Sequence, residues 1–202
     1  MLHTIKNTDI LFIDIETVPI YKDFQDMPEK MRDLWDKKSA YFREENQTPE
    51  DVYQRAGIWA EFGKIICISA GFITKNKSFR IKSFYGDNER DLLLHFKKML
   101  DTSYRGNDKY LCAHNGKEFD YPYIARRMLI NGTGIPQILD LAGKKPWEVR
   151  HLDTMELWKF GDYKNYTSLE LLTEIFQIQT PKDDIDGSMV ADVYYNEKDT
   201  ER

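Results

Sequence analysis

Residues 10–18 read ILFIDIETV, an apolar, β-branched run broken only by Asp14 and Glu16. Such a run, with Pro19 after it, predicts a strand buried on both faces, the kind that lies inside an α/β sheet. Side chains two apart on a strand share one face, so the two acids lie side by side. Burying one unpaired carboxylate is costly, and two neighbouring ones repel each other. Something positive must therefore accompany them. Lys or Arg partners at a strand end would serve, and so would a divalent cation, since hard oxygen ligands suit Mg²⁺ or Mn²⁺.

The rest of the chain is compatible with a layered globular domain. Its 202 residues, 41% hydrophobic and 31% charged, suffice for one domain with a sizeable core, and 1–202 is read as a single domain. No apolar stretch is long enough to span a bilayer. The opening residues are polar, which predicts no secretory leader. Cys67 and Cys112 sit singly inside apolar segments and read as reduced thiols, so a cytoplasmic location is expected. The formal net charge of −5 argues at first against binding nucleic acid by bulk positive charge. Residues 183–202, however, hold seven acids and two bases, so the whole excess lies there and the first 182 residues are neutral.

Residues 22–56 carry charges of both signs, helix formers and Pro28 and Pro49, and read as a helical insertion between strands. Leu34, Trp35, Tyr41 and Phe42 leave room there for a contact face. Strand character returns at 64–73 and 79–85, an antiparallel pair turning near 75–77. Asp87 or Asn88 can cap a helix with apolar positions Leu92, Leu93, Phe96, Met99 and Leu100. A short strand at 110–113 leads to HNGKEFDYPYIARRMLING, with Pro122 in a first helical turn and Gly132 at its end. A strand or turn follows around 149–157, and Thr167 with Glu170 forms a capping box for the next helix. Helices alternating with strands predict an α/β fold with a mixed central sheet.

The second chemical signal is HNGKEFDYP, which puts Asp120 where a strand ends and a helix begins. Alone, it reads as a helix N-cap. Together with FIDIET at 12–17, the sequence resembles the DnaQ-like, ribonuclease-H-like 3′–5′ exonucleases. NGKEFDYPYI at 115–124 resembles their second motif in the form used by the proofreading domains of family-B DNA polymerases. HLDTMELWKFGDYKNYTSLELL and PKDDIDGSMVADVYY further resemble a bacterial branch of predicted exonucleases related to that domain.

The resemblance implies a ribonuclease-H-like domain that hydrolyses phosphodiester bonds at single-stranded 3′ ends, with DNA preferred to RNA as partner. It implies two Mg²⁺ or Mn²⁺ ions held by carboxylates, of which Asp14, Glu16 and Asp120 would be three. Ions about 3.5–4 Å apart can activate a water and stabilise the leaving 3′ oxygen. Asn115 and Phe119 would lie near the terminal nucleotides, and the backbone around Thr17 near the 3′-hydroxyl. The third motif is less well matched. Tyr195 and Asp199 have its Tyr-x-x-x-Asp spacing, yet the residues between them are polar, and the chain is expected to end before that motif. A catalytically incomplete nucleic-acid-binding module of the same fold is the alternative. Lys64, Lys117, Arg126, Arg127, Lys144, Lys145 and Lys164 are the bases that could touch phosphates, and Tyr163 and Tyr166 could stack on bases. His114 reads as a structural hydrogen-bonding residue at the strand end.

Overall fold

The computed structural model describes residues 2–162, 166–179, 187 and 189–198. The apolar run forms strand β1 (Ile10–Pro19), and alternation decides what it buries. Leu11, Ile13 and Ile15 enter the core, whereas Phe12, Asp14 and Glu16 point to the opposite face, where Asp14 is exposed. The strand is thus buried on one face and not on two. The reason is its neighbour: β2 (Gly63–Ile73) pairs with β1 antiparallel, and such pairs commonly leave one face open. β3 (Phe79–Tyr85) extends the antiparallel side, while β4 (Tyr110–Ala113) and the two-residue β5 (Leu152–Asp153) add in parallel. The sheet order is β3-β2-β1-β4-β5, the mixed sheet expected.

Two helices cover the closed face. α2 (Glu89–Ser103) begins with Asn88, whose side chain accepts the Asp91 amide. Its Leu92, Leu93, Phe96 and Leu100 meet Ile13, Ile15, Ile68, Ala70 and Phe84 of the sheet. α3 (Asp120–Ile130) adds Tyr121, Tyr123, Ile124 and Met128 to the same core. A buried ion pair ties the two helices to β2. Glu89 accepts Arg127 Nε at 2.8 Å and the Ile65 amide at 2.7 Å, and Arg127 also donates to the Ala60 carbonyl at 2.8 Å. Arg127 therefore reaches no phosphate. Helical phase turns it inward, where burial against Glu89 removes it from the bases that could meet a ligand.

The segment between β1 and β2 contains α1 (Glu29–Ser39) and short 3₁₀ turns. It builds a small core of its own from Met27, Trp35, Val52, Tyr53, Ala56 and Phe62. Trp35, expected on a contact face, is fully buried, and its indole donates to the Pro49 carbonyl at 2.8 Å. Phe42 stacks on Trp59 at 4.9 Å, while Leu34 and Tyr41 remain exposed.

After β5, α4 (Thr154–Lys159) is capped by Asp153, and α5 (Leu169–Ile175) by Ser168. Thr167 is not the cap: its carbonyl instead contacts His114 Nε2 at 2.8 Å. α6 (Val190–Asp192) continues into a π-type turn, Val193–Glu197, and packs on β1. Among the described residues, no helix is long and apolar enough to cross a membrane.

Candidate active site

The site begins where β1 loses regularity. Its register against β2 slips between Glu16, opposite Cys67, and Thr17, opposite Ile65. A bulge of this kind re-aims side chains and is common beside active sites. Asp14, opposite Ser69, and Glu16 remain together on the open face. Burial pushes the Cys67 thiol up, and the charges of Glu16 and Asp14 add to that shift. The Thr17 hydroxyl turns the other way, to hydrogen bond with Tyr123, whose own hydroxyl donates to the Gly57 carbonyl at 2.7 Å.

The second segment follows β4. Asn115 adopts the left-handed region, φ +63°, which reverses the chain. Gly116 comes so close to β4 and α3 that an added Cβ would stand 2.4 Å from Ala113 Cβ and 2.9 Å from the Tyr121 ring. Only glycine fits there. The Phe119 amide then bonds back to the Asn115 carbonyl at 3.0 Å, and Tyr121 N to Gly116 O at 2.9 Å, so the turn runs straight into α3.

This turn delivers Asp120 to β1. The side chain is buried, with 3% of the residue exposed, and Asp120 is the first helical residue, Phe119 occupying the N-cap position. The helix-cap reading of Asp120 is therefore excluded. Burial, followed by the neighbouring charge of Asp14, pushes its carboxyl up to about 7, against the opposing pull of its own amide and that of Ile15. Its Oδ1 has no hydrogen-bond partner. Among the described residues three buried side-chain polar atoms lack partners, and two of them, Asp120 Oδ1 and Asn115 Oδ1, belong to this one turn. The third, Arg43 Nε, lies in the inserted segment.

The cost of carboxylate burial thus falls on Asp120 rather than on the two strand acids. A buried oxygen without a donor, next to a second carboxylate, fits a small divalent ion that completes its shell with water and phosphate oxygens. The full set implied by resemblance is not assembled. Among the described residues no three His, Cys, Asp or Glu side chains group closely enough to hold a metal ion together.

The remaining expected residues fall in several places. Phe119 is half-buried, its ring 5.3 Å from that of Tyr123. The Tyr195 hydroxyl lies against the carbonyls of Pro19 (2.6 Å) and Ile20 (3.0 Å), beyond the bulge. Asp199, Lys164 and Tyr163 lie outside the described residues. Lys64 donates to the Tyr194 hydroxyl at 3.0 Å and sits over both Tyr194 and Tyr195 rings. Lys117 pairs with Glu156 at 2.6 Å. Arg126, Lys144 and Lys145 are exposed, and Tyr166 packs edge-on against His114. His114 has the structural role expected, with Nδ1 2.9 Å from Thr154 Oγ1. Sequence reasoning missed Tyr123 and Asp153. Nothing in the pattern marks Tyr123, but an Asp before Thr-Met-Glu-Leu is a helix-start signal.

The sequence profile of the RNase_H superfamily matches residues 55–201, and the chain belongs to that superfamily. Asp14 and Glu16 precede the matched span; Asn115, Phe119 and Asp120 lie within it. The chain is also similar in fold to the family B DNA polymerase from the hyperthermophilic archaeon Pyrobaculum calidifontis. That similarity has a TM-score of 0.50 and 16% identity, and covers 92% of this chain and 20% of the polymerase. E. coli Exonuclease I, in complex with a dT13 oligonucleotide, aligns with a TM-score of 0.46 and 11% identity, over 92% of this chain and 39% of that one. The chain therefore spans between a fifth and two fifths of the length of these structures. No curated protein sequence matches it.

Proposed function

We propose that this domain is a divalent-metal-dependent 3′–5′ exonuclease acting on single-stranded nucleic-acid 3′ ends. The observation that carries the reading is the bare Oδ1 of buried Asp120, carried by the 114–119 turn to β1, where the charge of Asp14 acts on it. Asp14 and Asp120 would hold Mg²⁺ or Mn²⁺, and Glu16, on the same open face as Asp14, would contribute from the side. A bound divalent ion would supply charge neutralisation at the phosphodiester and acidify a water. Asn115 Oδ1, buried and unpartnered, is available to accept a hydrogen bond from a terminal nucleotide. Phe119 can offer its half-buried ring to a base. The backbone around Thr17, at the register shift of β1, would meet the 3′-hydroxyl, a role that rests on the resemblance of FIDIET to the first exonuclease motif. The preference for DNA rests on the resemblance of NGKEFDYPYI to the family-B proofreading motif.

Among the described residues no three acids group as a metal site, which favours one alternative, a module that binds a 3′ end without cutting it. A 5′-labelled single-stranded oligonucleotide, as DNA and as RNA, incubated with Mg²⁺ or Mn²⁺ separates the two. A ladder receding from the 3′ end, abolished by chelation and by Asp120→Asn, is the expected result. Retained binding without shortening, by folded protein in Mn²⁺, would establish the module reading instead.

A further inference from the structure

The turn that carries Asn115 and Asp120 is held from outside by one side chain. Asp153, the second residue of β5, is 2% exposed, and among the described residues it takes part in no ion pair. Backbone amides satisfy its carboxylate instead, an arrangement that stabilises a buried anion. Oδ1 accepts the Asn115 amide at 2.9 Å and the Met155 amide at 3.0 Å, with Glu156 N further off at 3.5 Å. Oδ2 accepts the Lys117 amide at 3.1 Å. One carboxylate therefore joins the start of α4 to both ends of the 115–117 reversal.

β5 grips the other side of Asp120 as well, because the Tyr121 hydroxyl donates to the Leu152 carbonyl at 2.6 Å. The strand is only two residues long, yet its pairing of Asp153 with Ala113 places it beside the end of β4, where the turn departs. Asp120 thus lies between two anchors, the Lys117 amide and the Tyr121 hydroxyl, that both end on β5. Asn tolerates the left-handed region that Asn115 adopts, and the bond from its amide to Asp153 fixes the reversal in place.

We propose that Asp153 is a positioning residue for the reaction. It holds the 115–117 reversal so that Asn115 Oδ1 and Asp120 Oδ1 stay aimed into the site. This rests on the exonuclease reading for its consequence, but not for its geometry. Supporting side chains of this kind, when changed, lower metal affinity or activity by about 10- to 100-fold.

Asp153→Asn makes the test selective. The amide keeps one oxygen for Asn115, Met155 and the helix cap, but turns an NH₂ donor onto the Lys117 N–H, where an acceptor is needed. Asn88→Ala, which removes the cap of α2 far along the chain, provides a variant with a comparable loss of stability. Amide hydrogen exchange in metal-free protein is measured first. The Lys117 amide should be protected in the wild type and lose protection in Asp153→Asn, but not in Asn88→Ala. An unprotected Lys117 amide in the wild type, or one equally protected in Asp153→Asn, overturns the proposal.

The Mn²⁺-induced rise in Tm and the rate of oligonucleotide shortening are then compared at a temperature where all variants are folded. Asp153→Asn should lose about 10- to 100-fold in kcat or Mn²⁺ affinity, with KM for the oligonucleotide changed less. Losses no larger than those of Asn88→Ala would reduce Asp153 to a structural cap and overturn the positioning role. A wild type that neither binds Mn²⁺ nor shortens the oligonucleotide would remove the exonuclease reading, while the exchange result would still decide whether Asp153 holds the turn.

Discussion

His151 makes stability depend on pH in a way that can be worked through. Its ring is buried, with Nδ1 accepting the Leu111 amide at 3.2 Å and Nε2 donating to the Ile138 carbonyl at 2.8 Å. Those two bonds require the neutral ring, and burial holds its pKa down to about 4. The unfolded chain, with an ordinary value near 6.5, binds the proton more readily between those limits. Stability is therefore full above about pH 6.5 and is lost as pH falls toward 4. Holding the ring neutral down to about pH 4 is worth roughly 3 kcal/mol when complete, and about 2 kcal/mol of it is gone by pH 5. His151→Gln supplies an acceptor and a donor but cannot titrate. Urea melts of both proteins in EDTA, from pH 7.5 to 4.5, isolate the effect, because other titrating groups contribute equally to each. The wild type should lose about 2 kcal/mol relative to the variant by pH 5. With a slope of about 2 kcal/mol per molar, that is about 1 M in urea midpoint. A difference that stays flat across the range would refute the buried neutral ring.

Other perturbations test separate parts of the structure. Arg127→Leu strands Glu89 as a buried charge and should cost about 3–5 kcal/mol in urea melts; a loss under about 1 kcal/mol would mean the pair is not buried. Trp35→Ala should remove about 3–5 kcal/mol from the small core of the inserted segment and deprotect its amides first in hydrogen exchange. Uniform deprotection across α2 and α3 would argue against a separate small core. Tyr195→Phe gives up the hydroxyl held by Pro19 and Ile20 and should cost about 1 kcal/mol, with the shortening rate within threefold of wild type. A hundredfold slower rate would put that hydroxyl in the chemistry.

Local signals were legible in particular places. Asn88 caps α2, β4 spans 110–113, and Pro122 lies in the first turn of α3, as composition and spacing predict. These depend on the backbone preferences of a few neighbouring residues. Side-chain fates across the chain were less legible. Leu34, Trp35, Tyr41 and Phe42 leave room for a contact face, but Trp59 and Phe62, over twenty residues after Trp35, pack on Trp35, and Trp59 stacks on Phe42. Arg126 and Arg127 are adjacent in sequence and opposite in environment, one exposed and the other sealed against Glu89. Helical phase separates them, and the buried partner lies 38 residues away.

The candidate site divides along the same line. The sequence alone determined that Asp14 and Glu16 share one face of a strand, because a strand alternates. It also determined, through the Asn-Gly pair before Phe-Asp-x-Pro, that a tight turn brings a carboxylate to a helix start. Tertiary structure decided which carboxylate is buried. Antiparallel pairing with β2 leaves the face of Asp14 and Glu16 open, so those acids keep contact with water. Asp120 is instead enclosed by β1 and its own helix, with one oxygen left bare. The same enclosure needs Asp153, whose two oxygens meet amides 36 and 38 residues earlier in the chain. Desolvation depends on everything packed around a group, and a one-dimensional pattern specifies only its nearest neighbours.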